Sequence, residues 1–228
     1  MKYFSDGYAV WTFQGYHECI DDNRFTEFSS QKKREFIKSR LPNLKVVLDA
    51  LNNSNLFELE SFYFNNGYRQ LTQDGNIINS ILPIIDQEEI SSWSFAFKGS
   101  TLIYFNGKQE KISGIIGVLF EAIFDLISIE TYSDIWQPMD IHGEDLNIER
   151  AIVNSDRLEQ CLLEIKQEGI FKKIEPDEGV DERDECAQHG FRMYIEEWAF
   201  KEFYPDIEID KFDKFIWERR NLKRNHPA

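Results

Sequence analysis

From Ser92 to Phe97 the chain alternates Ser92, Ser94 and Ala96 with Trp93, Phe95 and Phe97. A two-residue period puts all three rings on one side only if the backbone is extended, so this segment predicts a strand with an aromatic face. Gly99-Ser100 leads into a second extended run, Leu102 to Phe105. Asn106-Gly107 then supplies the turn chemistry of a hairpin before Gln109 to Ile112. Period and turn residues agree across 91–112, which predicts a three-run antiparallel meander at the centre of the fold.

Other strand and helix signals surround it. Tyr8 to Tyr16 is rich in aromatic and β-branched residues and reads as a strand. Phe57 to Phe64 and Tyr68 to Thr72 flank an Asn65-Asn66-Gly67 turn. Ser29 and Ser30 are candidate caps for a helix over 31–41 that buries Phe36, Ile37 and Leu41. Pro42 ends that helix or opens another, along which Leu44, Val47, Leu48 and Leu51 recur at helical spacing. The run Ile115 to Ile129 reads as a largely buried helix, because Gly114, Gly117, Glu121, Asp125 and Ser128 recur every three or four residues as one polar stripe. A further helix from Ser155 to about Glu168 turns Leu158, Cys161, Leu162 and Ile165 inward and stops at Gly169. Two amphipathic segments follow, marked by Phe191, Tyr194, Ile195 and Trp198 and by Phe212, Phe215 and Ile216. The expected class is α+β, a central antiparallel sheet flanked by amphipathic helices. One domain is expected over 1–228, with 146–228 as a possible helical C-terminal subdomain.

Composition limits the function classes. With 42% hydrophobic residues and 19 Phe in 228, the chain has ample material for a core. Lys plus Arg total 26 against 41 for Asp plus Glu, a formal charge of −15. That balance disfavours direct binding to nucleic acid or to an anionic membrane, and it favours a basic protein, a cation or plain solubility. Asp6 interrupts the N-terminal stretch MKYFSDGYAVWTF, so no secretory leader is read there. Cys19, Cys161 and Cys186 form no disulfide framework, and a cytoplasmic location is expected.

No nucleophile elbow, phosphate-binding loop, dinucleotide fingerprint or paired zinc motif is present. Four looser groups remain. Glu121 and Asp125 would share one helix face and, with His142 in a loop, compose a metal-assisted hydrolase or transferase site. The wet edge of a buried helix explains the two carboxylates without any ligand and is the reading that the polar stripe favours. His17-Glu18-Cys19 with Asp21 and Asp22, and Cys186 with His189, have ligand chemistry but lack partner pairs nearby in sequence. Cys161 sits on an apolar helix face and reads as core. Around Trp217 the C-terminal stretch gathers Lys211, Lys214, Arg219, Arg220, Lys223 and Arg224, which reads as internal pairing or an exposed basic tail.

The densest local signal is Glu175 to Glu185, where Glu175, Asp177, Glu178, Asp181, Glu182, Asp184 and Glu185 make seven acids in eleven residues. A solvated loop feeding a helix N-terminus accounts for such a run, and so does an electrostatic docking patch. With the aromatic meander Trp93 to Phe105, this run resembles the cytoplasmic immunity proteins of polymorphic or contact-dependent toxin systems. The resemblance implies a compact, acidic α+β chain, not an enzyme and without a cofactor, that masks a basic partner such as a nuclease toxin domain. On that reading the seven acids would line the partner-binding rim, with nearby exposed aromatics as the anchor.

Overall fold

The computed structural model describes residues 9–65, 67–70, 77–87, 89–105, 107–132, 134–136, 148–177, 186–187, 190–191, 201, 205–208 and 211. The elements follow as β1 (Ala9–Gly15), α1 (Asp22–Thr26), α2 (Ser30–Lys38), α3 (Leu41–Asn53), β2 (Glu58–Phe64), β3 (Gly67–Gln70) and α4 (Ile77–Gln87). Then come β4 (Ser94–Phe105), β5 (Lys108–Glu121), β6 (Leu126–Thr131), α5 (Ile148–Gln167) and β7 (Phe171–Asp177). A two-residue pair, β8 (Cys186–Ala187) and β9 (Gly190–Phe191), comes last. Seven strands form one antiparallel sheet in the order β3-β2-β4-β5-β6-β1-β7. The α+β class and its central sheet are therefore present.

The meander is simpler than its sequence reads. Ser94–Phe97 and Leu102–Phe105 belong to one long strand, β4, with Trp93 in the bend just ahead of it, and the strand is interrupted by a bulge in which Gly99 faces three residues of β5, Gly114 to Ile116. A side chain at Gly99 would meet the Glu58 carbonyl oxygen at 2.6 Å, and Gly114 takes φ 81°, so both glycines are required by the backbone. Phe105 pairs with Lys108 around the expected Asn106-Gly107 turn, with Gly107 at φ 71°. The second expected hairpin closes from Phe64 to Gly67. Here Asn65, not the glycine, adopts the left-handed conformation at φ 49°. The Asn65 amide holds this turn to the chain ahead of β4, donating to the Glu89 carbonyl and accepting from the Ser91 and Ser92 N–H groups.

The stretch 115–129 is not a helix. Its first half completes β5, residues Ala122–Phe124 form a 3-10 turn, and its second half is β6, which pairs Phe120 with Ile127 and Val118 with Ile129. Both strands lie inside the sheet, and on β6 Ile127, Ser128 and Ile129 are all buried. A strand covered on both sides loses its alternation and imitates a helical stripe.

Register places Phe62, Phe97, Val118, Ile129 and Trp11 in one row across the sheet, and Phe95, Phe120, Ile127 and Phe13 in the next. Phe64 stacks on Phe95 with ring centroids 4.1 Å apart. These rings share one core with Ile37, Leu44, Leu48, Leu51, Leu158, Cys161 and Ile165 from α2, α3 and α5. Burying each such side chain contributes about 1.5–3 kcal/mol before entropy is counted. Ser29 caps α2, accepting from the Lys32 N–H. Pro42 stands in the first turn of α3, where its missing N–H costs nothing. α5 begins seven residues ahead of Ser155, and Gly169 at φ 66° follows its end as expected. α4, with Pro83 inside it, is an element that sequence patterning did not predict. The segments around Trp198 and Phe215 lie outside the described residues, and so does most of the C-terminal basic stretch. No helix among the described residues is long and apolar enough to cross a membrane.

Candidate docking surface at one end of the sheet

β1 ends at Gly15, and residues 16–21 carry the chain into α1. Alongside, the 3-10 turn Ala122–Phe124 joins β5 to β6 and closes on Asp125, which adopts φ 49°. The two turns are bonded to one another. Gly15 N–H donates to the Asp125 carbonyl at 2.9 Å, and Ile20 N–H donates to the Ile123 carbonyl at 3.0 Å. The Cys19 thiol donates to the Phe124 carbonyl at 3.3 Å and accepts from the Gln14 amide at 3.4 Å.

Asp125 is the keystone. It is 1% exposed, and its carboxylate accepts from His17 N–H at 3.0 Å and from the Asn43 side-chain amide at 3.2 Å. A side chain at Gly15 would overlap that carboxylate, so the close approach requires glycine. Arg40, also buried, supports the loop from beneath. Its guanidinium donates to the Glu18 carbonyl at 3.0 Å and to the Phe36 carbonyl at 3.0 Å, and lies 3.5 Å from the Phe36 ring centroid. Burial pulls the guanidinium pKa below its ordinary value, while Asp125, Cys19 and Glu18 pull it back up. A buried charge on each side, with hydrogen bonds to both, makes a stiff support.

The outward side of this support is aromatic and acidic. Tyr16 is 69% exposed and Phe124 41% exposed; with Tyr63 and Tyr68 on β2 and β3 they are the large exposed hydrophobic side chains among the described residues. In the segment that follows Tyr16, the residues Glu18, Asp21, Asp22 and Glu27 are exposed, against one cation, Arg24, within residues 16–28. Asp21 also caps α1, accepting from Arg24 N–H at 2.8 Å. Two basic residues of α2 lie beyond, Lys32 over the Phe28 ring and Lys33 over that of Phe25.

The residues singled out in the sequence fare differently. Glu121 and Asp125 do not share a helix face, because no helix is there. Glu121 ends β5, pairing with Ser94 and Leu126, and burial raises its pKa. Asp125 is committed to His17 and Asn43, and His142 lies outside the described residues. Among the described residues no three His, Cys, Asp or Glu side chains converge as a metal site requires, and that includes Glu18, Cys19 and Asp21. Cys161 is buried in the core, its thiol pushed up to about 12 by desolvation. Cys186 falls in β8, and His189 lies outside the described residues.

Of the acidic run, Glu175 and Asp177 belong to β7, in register with Thr12 and Val10 of β1. Glu178, Asp181, Glu182, Asp184 and Glu185 lie outside the described residues. β7 pairs its start, Phe171, with Gly15 and its end, Asp177, with Val10, so the run begins beside Thr12, about 10 Å along β1 from Gly15, and leaves at Val10, about 17 Å away at strand rise. Tyr16 and Phe124 therefore do not flank the start of the run. Phe124 was hidden in the sequence inside an apparent helix. Tyr16 was legible in principle, as an aromatic directly ahead of Glu18, Asp21 and Asp22.

No family model, curated protein or solved structure matches this chain.

Proposed function

We propose that the chain is a non-enzymatic acidic binding protein that neutralises a basic protein partner, in the manner of an immunity protein blocking a cognate toxin. The observation that carries this reading is the exposed rings Tyr16 and Phe124, carried on two turns bonded to each other and stiffened by Asp125, Arg40 and Asn43, with the exposed carboxylates Glu18, Asp21 and Asp22 following Tyr16 in the chain. Interface anchors are aromatic, gain most when already rigid, and work inside a polar rim. A rim of carboxylates selects a partner rich in Arg or Lys.

The division of labour follows from distance. Carboxylates steer a basic partner over a screening length of about 8–10 Å at physiological salt, whereas aromatic anchors act by contact. The acids Glu175 to Glu185 then raise the encounter rate, and the Tyr16–Phe124 end holds the complex. A metal-assisted hydrolase receives less support, since the helical pairing of Glu121 with Asp125 that suggested it is absent.

The test is capture of a basic partner from the native cell, followed by comparison of two variants. Tyr16→Ser with Phe124→Ser should speed dissociation by at least about tenfold, the range expected for anchor residues. Reversing Glu178, Asp181, Glu182 and Asp184 to Lys should slow association and flatten its salt dependence. Unchanged kinetics in both variants would remove the proposal.

A further inference from the structure

Resting on that reading, we propose that Arg24 is a built-in competitor: it occupies on Glu18 the place that an arginine of the partner takes in the complex. The Glu18–Arg24 pair is a single contact of 3.3 Å between Oε1 and Nη1, with the two side chains 78% and 53% exposed. A guanidinium can make two parallel bonds to a carboxylate, so this pair leaves one carboxylate oxygen and the guanidinium fork unused by each other. An exposed pair of this kind is weak and exchanges readily.

The rest of the loop does not depend on Arg24's side chain. The α1 cap uses its backbone N–H, which every residue except proline supplies at position 24. The Glu18 carbonyl is held by Arg40, and the preceding turn by Asp125. Releasing Arg24 therefore frees the Glu18 oxygen that it holds without loosening the backbone. Two residues before Glu18 stands Tyr16, whose exposed ring offers a face for a planar cation. A partner arginine bonded to Glu18 and stacked on Tyr16 replaces a monodentate contact with a better one. The occupant this chemistry selects is an arginine-bearing segment of a basic protein, ahead of a lysine one, because a guanidinium can bond the carboxylate with two parallel N–H groups while its plane stacks on the ring, and an ammonium cannot.

A fluorescently labelled nona-arginine peptide, with nona-lysine beside it, tests this by anisotropy on the full chain. Arg24→Gln should bind nona-arginine about two- to fivefold tighter, the worth of an exposed pair. Lys45→Gln makes the same change in net charge at another exposed pair, Lys45 with Asp49, and should leave the affinity nearly unchanged. In a Glu18→Gln background the gain from Arg24→Gln should vanish. Equal gains from Arg24→Gln and Lys45→Gln, or a gain that survives Glu18→Gln, would overturn the competitor role while leaving the docking surface intact. If instead the wild type fails to bind either peptide, or Tyr16→Ser with Phe124→Ser binds as the wild type does, the docking surface itself is wrong and the competitor falls with it.

Discussion

The side-chain amide of Asn154 hydrogen-bonds both backbone groups of Tyr104, accepting from its N–H at 3.1 Å and donating to its carbonyl at 2.9 Å. β2 pairs with β4 only as far as Ser100, so beyond that point the outer edge of β4 has no strand beside it among the described residues. Asn154 takes the place of a strand residue there. One turn along α5, Arg157 completes the substitution, donating to the carbonyls of Leu102, Ser54 and Asn55. A helix thus satisfies a strand edge that would otherwise be a pairing hazard.

Asn154→Ala should accordingly cost about 2–3 kcal/mol, because it leaves two backbone groups without their partner rather than one side chain without a neighbour. Urea denaturation measures the loss. Amide exchange at Tyr104 should accelerate more than at Phe97, whose pairing with Phe62 and Val118 is untouched.

Asp125→Ala should destabilise by at least about 2 kcal/mol, since His17 N–H and the Asn43 amide lose their shared acceptor and the buried Arg40 loses a neighbouring negative charge. Asp125→Asn keeps one acceptor oxygen and tolerates the left-handed backbone, so it should cost less. Thermal unfolding of the pair measures the difference, and equal losses would mean that the charge, not the acceptor geometry, is what matters.

Thiol reactivity should separate the two cysteines by burial. In a Cys186→Ser background, Cys19 is exposed and should react with a thiol reagent in the native protein. Cys161, buried and with its thiol pushed up to about 12, should react only on unfolding. Native labelling of Cys161 would mean that α5 opens readily.

Glu121 links stability to pH. Burial raises its folded pKa above the unfolded value, so the neutral acid is the form that folding prefers. Its contribution is fully present below the ordinary Glu range and is lost as the pH rises through the raised folded value. Relative to the wild type, Glu121→Gln should therefore gain stability between about pH 4 and pH 7. Denaturant midpoints at both ends of that window measure it, and a constant offset would contradict the shift.

Where turn chemistry is local, the sequence was a sufficient guide: the hairpins close where expected, from Phe64 to Gly67 and from Phe105 to Lys108, Ser29 is a cap, and Gly169 follows a helix end. Where a segment is covered on both sides, period fails. Ile115 to Ile129 carries polar residues every three or four positions, yet it is two strands and a turn, because neighbours on both edges bury what a surface strand would expose. Phe171 to Asp177 gave no strand signal at all and became one by pairing with β1, a partner more than 150 residues earlier.

The aromatic and acidic character of this protein is a property of its composition, set before folding. Which aromatics stay outside is not. The turns that carry Tyr16 and Phe124 are joined by hydrogen bonds although they lie more than 100 residues apart, and the carboxylate that makes the turns rigid, Asp125, looked in sequence like one stripe residue among five. Local rules report what each residue prefers. Only the tertiary pairing decides which neighbours satisfy that preference and which side chains are left facing water.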